Sequence, residues 1–307
     1  MRVVTFGSGK GGTGRSVLVA NLGLVLARRG VRTCLVDLDF DSADLHLLLG
    51  KLHPGEGIPG FLRGRSRNLA ELAEPVESVP NLDLVAGPGE TLRPTGLRWQ
   101  EIRALADGIL ALPHEVVLVD LPAGAAHQVL DLFLAGDLQV AVANPDPVSL
   151  ADASRFLRLA RVRRVVHGTI RTGGSEPRVY TSLDDLVRDM TTMRRAAAIE
   201  NDPAGGFHPA LVLNRTRPGT DPATGDLVER LAEEIGEGIE LLHLGEVPDD
   251  PAVERSVRLL APLVQLSPRS PAARAIEALA REIAPGDRWE AAEDTVSGEL
   301  GREPMPV

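Results

Sequence analysis

The residues with the most chemical potential lie near the amino end, in the run Gly7-Ser8-Gly9-Lys10-Gly11-Gly12-Thr13-Gly14-Arg15-Ser16. Glycines allow a tight turn in which successive N–H groups converge on phosphate oxygens, and a helix beginning at the end of the turn adds the positive end of its dipole. From Gly9 onward the spacing fits the phosphate-loop pattern G-x-x-x-x-G-K-[ST], with Arg15 in the lysine position. Ser16 then falls where a hydroxyl meets Mg²⁺. The competing reading, a glycine-rich turn with no ligand, is disfavoured by the density of glycines. Carboxylates follow further along. Leu35-Val36-Asp37-Leu38-Asp39 and Val116-Val117-Leu118-Val119-Asp120 are apolar runs that close on acids able to reach Mg²⁺ or water. For Asp37 and Asp39, capping of a strand end is the plainer alternative.

Positioning such groups takes alternating strands and helices. β-branched runs suggest strands at 3–6, 33–37, 82–86, 116–120, 139–143, 210–214 and 240–244, with helical stretches at 16–30, 96–111, 148–164, 226–235 and 271–283. This alternation predicts an α/β fold, a mostly parallel twisted sheet flanked by helices on both faces, with ligand groups at the carboxyl ends of the strands. Asn214 ends one strand, and Pro248 and Asp249 end the next. An amide both donates and accepts, so Asn214 could pair with the edge of an adenine while the backbone near Pro248 and Asp249 takes the other side. A turn residue is the alternative for Asn214.

The run Gly9-Lys10-Gly11-Gly12-Thr13-Gly14 resembles the K-G-G-x-G-K-[ST] loop of the MinD/ParA family of deviant Walker A ATPases. Asp120-Leu121-Pro122-Ala123-Gly124 is similar to that family's switch segment, and the likeness extends over about residues 2 to 284. The resemblance implies a P-loop NTPase fold of the SIMIBI type that binds ATP and Mg²⁺ and hydrolyses ATP. It implies a nucleotide held by Gly9, Lys10, Gly11, Gly12, Thr13, Gly14, Arg15 and Ser16, with Asn214, Pro248 and Asp249 around the base. Ser16, Asp37 and Asp120 are the metal group. Lys10 corresponds to the signature lysine that reaches the partner subunit's nucleotide, and Asp39 to the aspartate that orients the attacking water. An ATP-dependent homodimer and an activating or cargo protein follow as expected partners. Arg15 departs from the family pattern. Its guanidinium is a wide planar fork where the family has a compact ammonium, which bears on hydrolysis more than on binding. Two alternatives therefore stay open, a non-hydrolysing nucleotide-binding regulator and a ParA-type DNA-partitioning motor.

Composition narrows these classes. Lys10 and Lys51 are the only lysines, so 31 of the 33 basic residues are arginine, and Arg15 has a compositional explanation as well as a functional one. Net charge is −10, which disfavours general phosphate neutralisation and makes DNA a poor partner. With one cysteine, Cys34, no charged leader and no uninterrupted apolar stretch of about 18 residues, the expectation is a cytoplasmic protein. A peripheral place at the inner face of the membrane stays open, although the acidic tail lacks the basic amphipathic helix of MinD proper. The N-terminal extension of flagellar-number regulators is likewise not seen before Arg2. Residues 1–284 read as a single ATPase domain, 168–177 as a loop, and 285–307 as a disordered acidic tail. Arg155, Arg158, Arg161 and Arg164 recur every three residues as a basic ridge, either a solvated face or a contact with a partner, a membrane or DNA.

Overall fold

A computed structural model describes residues 1–40, 42–77, 79–88, 96–167, 207–217, 219, 221–236 and 239–284. Its framework is an eight-stranded sheet: β1 (Arg2–Ser8), β2 (Thr33–Asp37), β3 (Glu74–Pro75), β4 (Leu82–Val85), β5 (Val116–Ala123), β6 (Leu138–Ala143), β7 (Ala210–Thr216) and β8 (Leu242–Pro248). The strand order is β3-β4-β2-β5-β1-β6-β7-β8. Every pairing is parallel except that of β3 with β4, a two-residue antiparallel edge that the sequence pattern does not signal. The predicted α/β fold is thus observed. Strands β1, β5 and β7 run two or three residues past the carboxyl ends of the apolar runs, because those residues still pair in the ladder, while the strand expected at 240–244 starts two residues later and ends four later, at Pro248.

The central strands are buried on both faces, as their unbroken apolar sequences require. One face is covered by α1 (Arg15–Arg28) and the last helix, α10 (Pro271–Ile283), which join Val4, Phe6, Leu35 and Leu118 in one core. On the other face lie α4 (Trp99–Leu110), α5 (His127–Phe133), α6 (Pro147–His167) and α7 (Thr224–Ile235), packed on Val3, Val36, Val117 and Val119. Each fully buried large side chain contributes about 1.5–3 kcal/mol by its transfer from water. Cys34 sits inside this second core at zero exposure, and burial pushes its thiol pKa up, leaving it an inert packing residue. Short helices α2 (Leu45–Leu48), α3 (Gly57–Leu62), α8 (Pro251–Arg258) and α9 (Leu263–Leu266) line the rim.

Register brings the site together. In the β2–β5 pairing Asp37 lies opposite Asp120, and in the β1–β5 pairing Asp120 lies opposite Phe6. Parallel strands about 4.8 Å apart therefore deliver both acids to the point where β1 runs into its glycine-rich loop. Among the described residues no helix is long and apolar enough to cross a membrane. The expected loop at 168–177 and the tail at 285–307 lie outside the described residues.

Candidate functional site

The loop between β1 and α1 is shaped by two glycines that tolerate no side chain. Gly14 takes φ 81° as the residue preceding α1, and a Cβ there would lie 2.3 Å from Nδ2 of Asn214. At Gly9 a Cβ would stand 2.1 Å from the Asp152 carbonyl oxygen on α6, so the loop rests directly on helix backbone. α1 then begins with no side-chain cap and no acid in its first turn. Its leading N–H groups and dipole are left facing the crevice, the arrangement that suits an anion. Asn214, near the end of β7, donates from Nδ2 to the carbonyl of Thr13 at 2.6 Å and so ties the loop to a strand two places along the sheet from β1.

Arg15 does not extend along the loop. It turns into the crevice, where only 6% of it is exposed. Its Nε donates to Asp120, Nη1 to the hydroxyl of Ser8 at 2.8 Å, and Nη2 to Asp39 at 3.3 Å. Asp120 itself is 1% exposed. Beside it, Asp37 accepts the N–H of Asp39 at 3.0 Å on one oxygen and that of Leu45 at 3.1 Å on the other. Burial pushes the Asp37 carboxyl well above the usual carboxylate range, and the charge of Asp120 pushes the same way against the two N–H bonds. Desolvation and a like charge thus both favour the protonated form of Asp37.

Of the residues singled out in the sequence, the structure brings Arg15, Asp37, Asp39 and Asp120 into one cluster and places Gly14 and Asn214 beside it. Lys10 stands apart: its Nζ lies 3.4 Å from Oδ1 of Asp146, in the turn after β6. Gly14, Val17, Asn214, Pro248, Asp249 and Val253 line a cavity of about 550 Å³ on the far side of the loop. Its lining is partly apolar, as a nucleobase requires. Asp249 there accepts Arg217 at 2.7 and 2.9 Å. Ser16 lies on the first turn of α1, half-buried. A magnesium ion would have to share these carboxylates, because each Asp37 oxygen already accepts one backbone N–H and Oδ1 of Asp120 is bonded to Arg15, which makes the set a poor fit as it stands.

Sequence reasoning passed over Ser8, Asp146 and Arg163. Ser8 is the last residue of a strand, and nothing in its type announces a contact with Arg15. Arg163 falls beside the expected arginine ridge rather than on it. It is 3% exposed and pairs at 2.7 Å with Asp131, which is 2% exposed, so the buried basic residue of α6 is the one between Arg161 and Arg164. Arg155 and Arg158 are exposed, and Arg161 donates to the Ile235 carbonyl at 3.3 Å. The helical period alone would have flagged 163, since it shares a face with the buried Phe156 and Ala160.

A mostly parallel α/β sheet with a glycine-lined loop at the end of its first strand, and acids on the next two strands along the sheet, defines a phosphate-loop nucleotide-binding protein. Residues 4–262 match the profile of the CobQ/CobB/MinD/ParA nucleotide binding domain, and the chain belongs to that family. It is 25% identical over 302 residues to an uncharacterized ATP-binding protein of Methanocaldococcus jannaschii, across 94% of this chain and 89% of that one. With the antiactivator FleN of Pseudomonas aeruginosa it shares 24% identity over 292 residues, covering 94% and 87% of the two chains. The fold is similar to that of the septum site-determining protein MinD of Pyrococcus horikoshii, solved in complex with Mg-ADP. That match has a TM-score of 0.62 at 22% identity and covers 93% of this chain and 97% of that one.

Proposed function

We propose that the chain is an ATP-dependent switch. ATP lies with its phosphates in the 9–16 loop and its base in the 550 Å³ cavity between Asn214 and Pro248. Two protomers close face to face, and each Lys10 leaves Asp146 to complete the partner's site. Closure follows from differential affinity, because a nucleotide that touches both subunits binds the closed dimer better than the open monomer. Asp39 orients the attacking water, hydrolysis is slow, and loss of the γ-phosphate reopens the pair. The cycle runs in the cytoplasm, and the closed form is what a partner protein recognises. Relatives named for septum placement and for antiactivation support a role in positioning or regulating another structure.

The observation that carries this reading is the juxtaposition of an uncapped helix start, a glycine loop and three acids within one crevice, with a base-sized cavity adjoining it. Sedimentation of the purified chain with ATP, with ADP and without nucleotide tests it. A dimer with ATP alone, lost in Lys10→Ala, is expected; an unchanged monomer under all three conditions refutes the switch. A second reading, a regulator that binds but does not hydrolyse, is favoured by the contacts of Arg15 with both Asp39 and Asp120. Turnover no faster than that of Asp39→Ala, at undiminished affinity, selects it.

A further inference from the structure

Asp120 is the acid that the sequence pattern assigns to a metal ion, and in the folded chain its partner is Arg15. The guanidinium is held from three sides: by Asp120 on β5, by Ser8 at the end of β1 and by Asp39 after β2. A guanidinium has five N–H donors in a fixed plane. Three are used here, leaving one on Nη1 and one on Nη2 for an anion in the crevice. An ammonium at this place offers no such fork. It is a compact point charge on a flexible stem, with three donors on one nitrogen instead of five spread over a plane.

The other acid opposite Asp120 in the sheet is partly engaged, since each oxygen of Asp37 accepts one backbone N–H group. Mg²⁺ is a hard cation that demands near-octahedral oxygen ligands and gives up its water reluctantly. Beside Asp120 it would meet a guanidinium already bonded to Oδ1, a second cation in the same buried space. Arginine-rich composition accounts for the presence of an arginine at position 15, but not for the direction its side chain takes.

We propose that Arg15 takes the place of the divalent cation, so that its guanidinium bridges Asp120 and Asp39 to the phosphates and the chain binds ADP and ATP without magnesium. This rests on the reading of the site as a nucleotide site, and it specifies how that site balances charge. Mg²⁺ then adds little to affinity, and the metal dependence usual for a phosphate loop returns when the fork is replaced by an ammonium.

Calorimetric titration of the full chain with ADP, and separately with ATP, in excess EDTA and in excess MgCl₂, tests the proposal. For the wild type the two dissociation constants are expected to agree within about threefold. In Arg15→Lys, with folding checked by circular dichroism, affinity in EDTA is expected to fall about tenfold or more below that in MgCl₂. A wild-type affinity that drops about tenfold in EDTA overturns the proposal and leaves the nucleotide reading intact. Equal affinity of Arg15→Lys in the two buffers also overturns it. Should the variant not fold, the wild-type comparison decides alone, joined by Mn²⁺ paramagnetic resonance: Mn²⁺ immobilised by the protein with ADP, beyond what ADP alone binds, counts against Arg15. Absence of nucleotide binding in both buffers is a different failure, that of the nucleotide site itself.

Discussion

Replacing Asp120 with alanine should destabilise the fold by about 3 kcal/mol, the low end of the range for stripping one partner from a buried ion pair. The structure sets the size. Asp120 is 1% exposed and Arg15 6%, so water cannot take over the vacated contact. Two contacts survive, with the Ser8 hydroxyl at 2.8 Å and with Asp39 at 3.3 Å, and these keep the loss from reaching the upper end. Relief of Asp37 from the charge of Asp120 acts in the same moderating direction. With a urea dependence of about 3 kcal/mol per molar for a chain of this size, the unfolding midpoint should move down by about 1 M. Removing the guanidinium as well, in Asp120→Ala/Arg15→Met, should recover most of the loss, so that the double variant loses far less than the sum of the two single variants. Urea titrations of the four proteins measure all of this. A single-variant loss below about 1 kcal/mol, or strict additivity, would show that the triad contributes nothing to the fold as a unit.

Other outcomes follow from the same geometry. Gly9→Ala puts a methyl 2.1 Å from the Asp152 carbonyl oxygen, so the loop must lift off α6; ATP affinity by calorimetry should fall at least about tenfold, and unchanged affinity would mean that the loop does not hold the phosphates. Asn214→Ala frees the Thr13 carbonyl and removes the amide beside the cavity, which should weaken ATP about tenfold and narrow any preference for ATP over GTP in competition titrations. The pH dependence of stability reports on Asp131. Burial raises its carboxyl from 3.8 to about 6, against the pull of Arg163. A folded-state value above the unfolded one means that the group binds more protons when folded. Its contribution is therefore complete below about pH 4 and lost as pH rises to about 6, a fall of up to about 3 kcal/mol relative to Asp131→Asn. Urea midpoints of the two proteins between pH 4 and 7 measure that difference, and a wild-type advantage that grows with pH would contradict it.

Much of this architecture was legible because the sheet is parallel and central. Strands buried on both faces must be apolar throughout, so β1, β2, β5 and β6 announced themselves as unbroken runs, and β2 matched its predicted bounds at 33–37. The edge was less readable. β3 is two residues long, one of them Pro75, and no periodicity can be detected over such a length. The short rim helices were missed for the same reason. α6 was read as a helix with a ridge at every third residue, but 3.6 residues per turn carries such a row gradually around the axis. Arg155 and Arg158 consequently remain at the surface while Arg163 enters the core against Asp131.

At the site, residue type proved easier to read than direction. A loop with this spacing places its glycines and its serine by backbone geometry alone, and register between neighbouring strands places Asp37 against Asp120. A long side chain obeys neither constraint. Arg15 and Lys10 both leave the loop, yet one turns inward to the acids of β5 and β2 while the other reaches outward to Asp146 at the rim. The difference lies in burial. A guanidinium inside the crevice is matched by two carboxylates and a hydroxyl, two of them on strands and the third just past one, whereas the ammonium of Lys10 has a single, half-exposed partner. An exposed pair of that kind is worth at most about 1 kcal/mol and is readily exchanged for a better anion. The buried triad is not. The loop thus joins one cation that is free to change partners with one that is fixed, and only the first can respond to a second subunit without disturbing the fold.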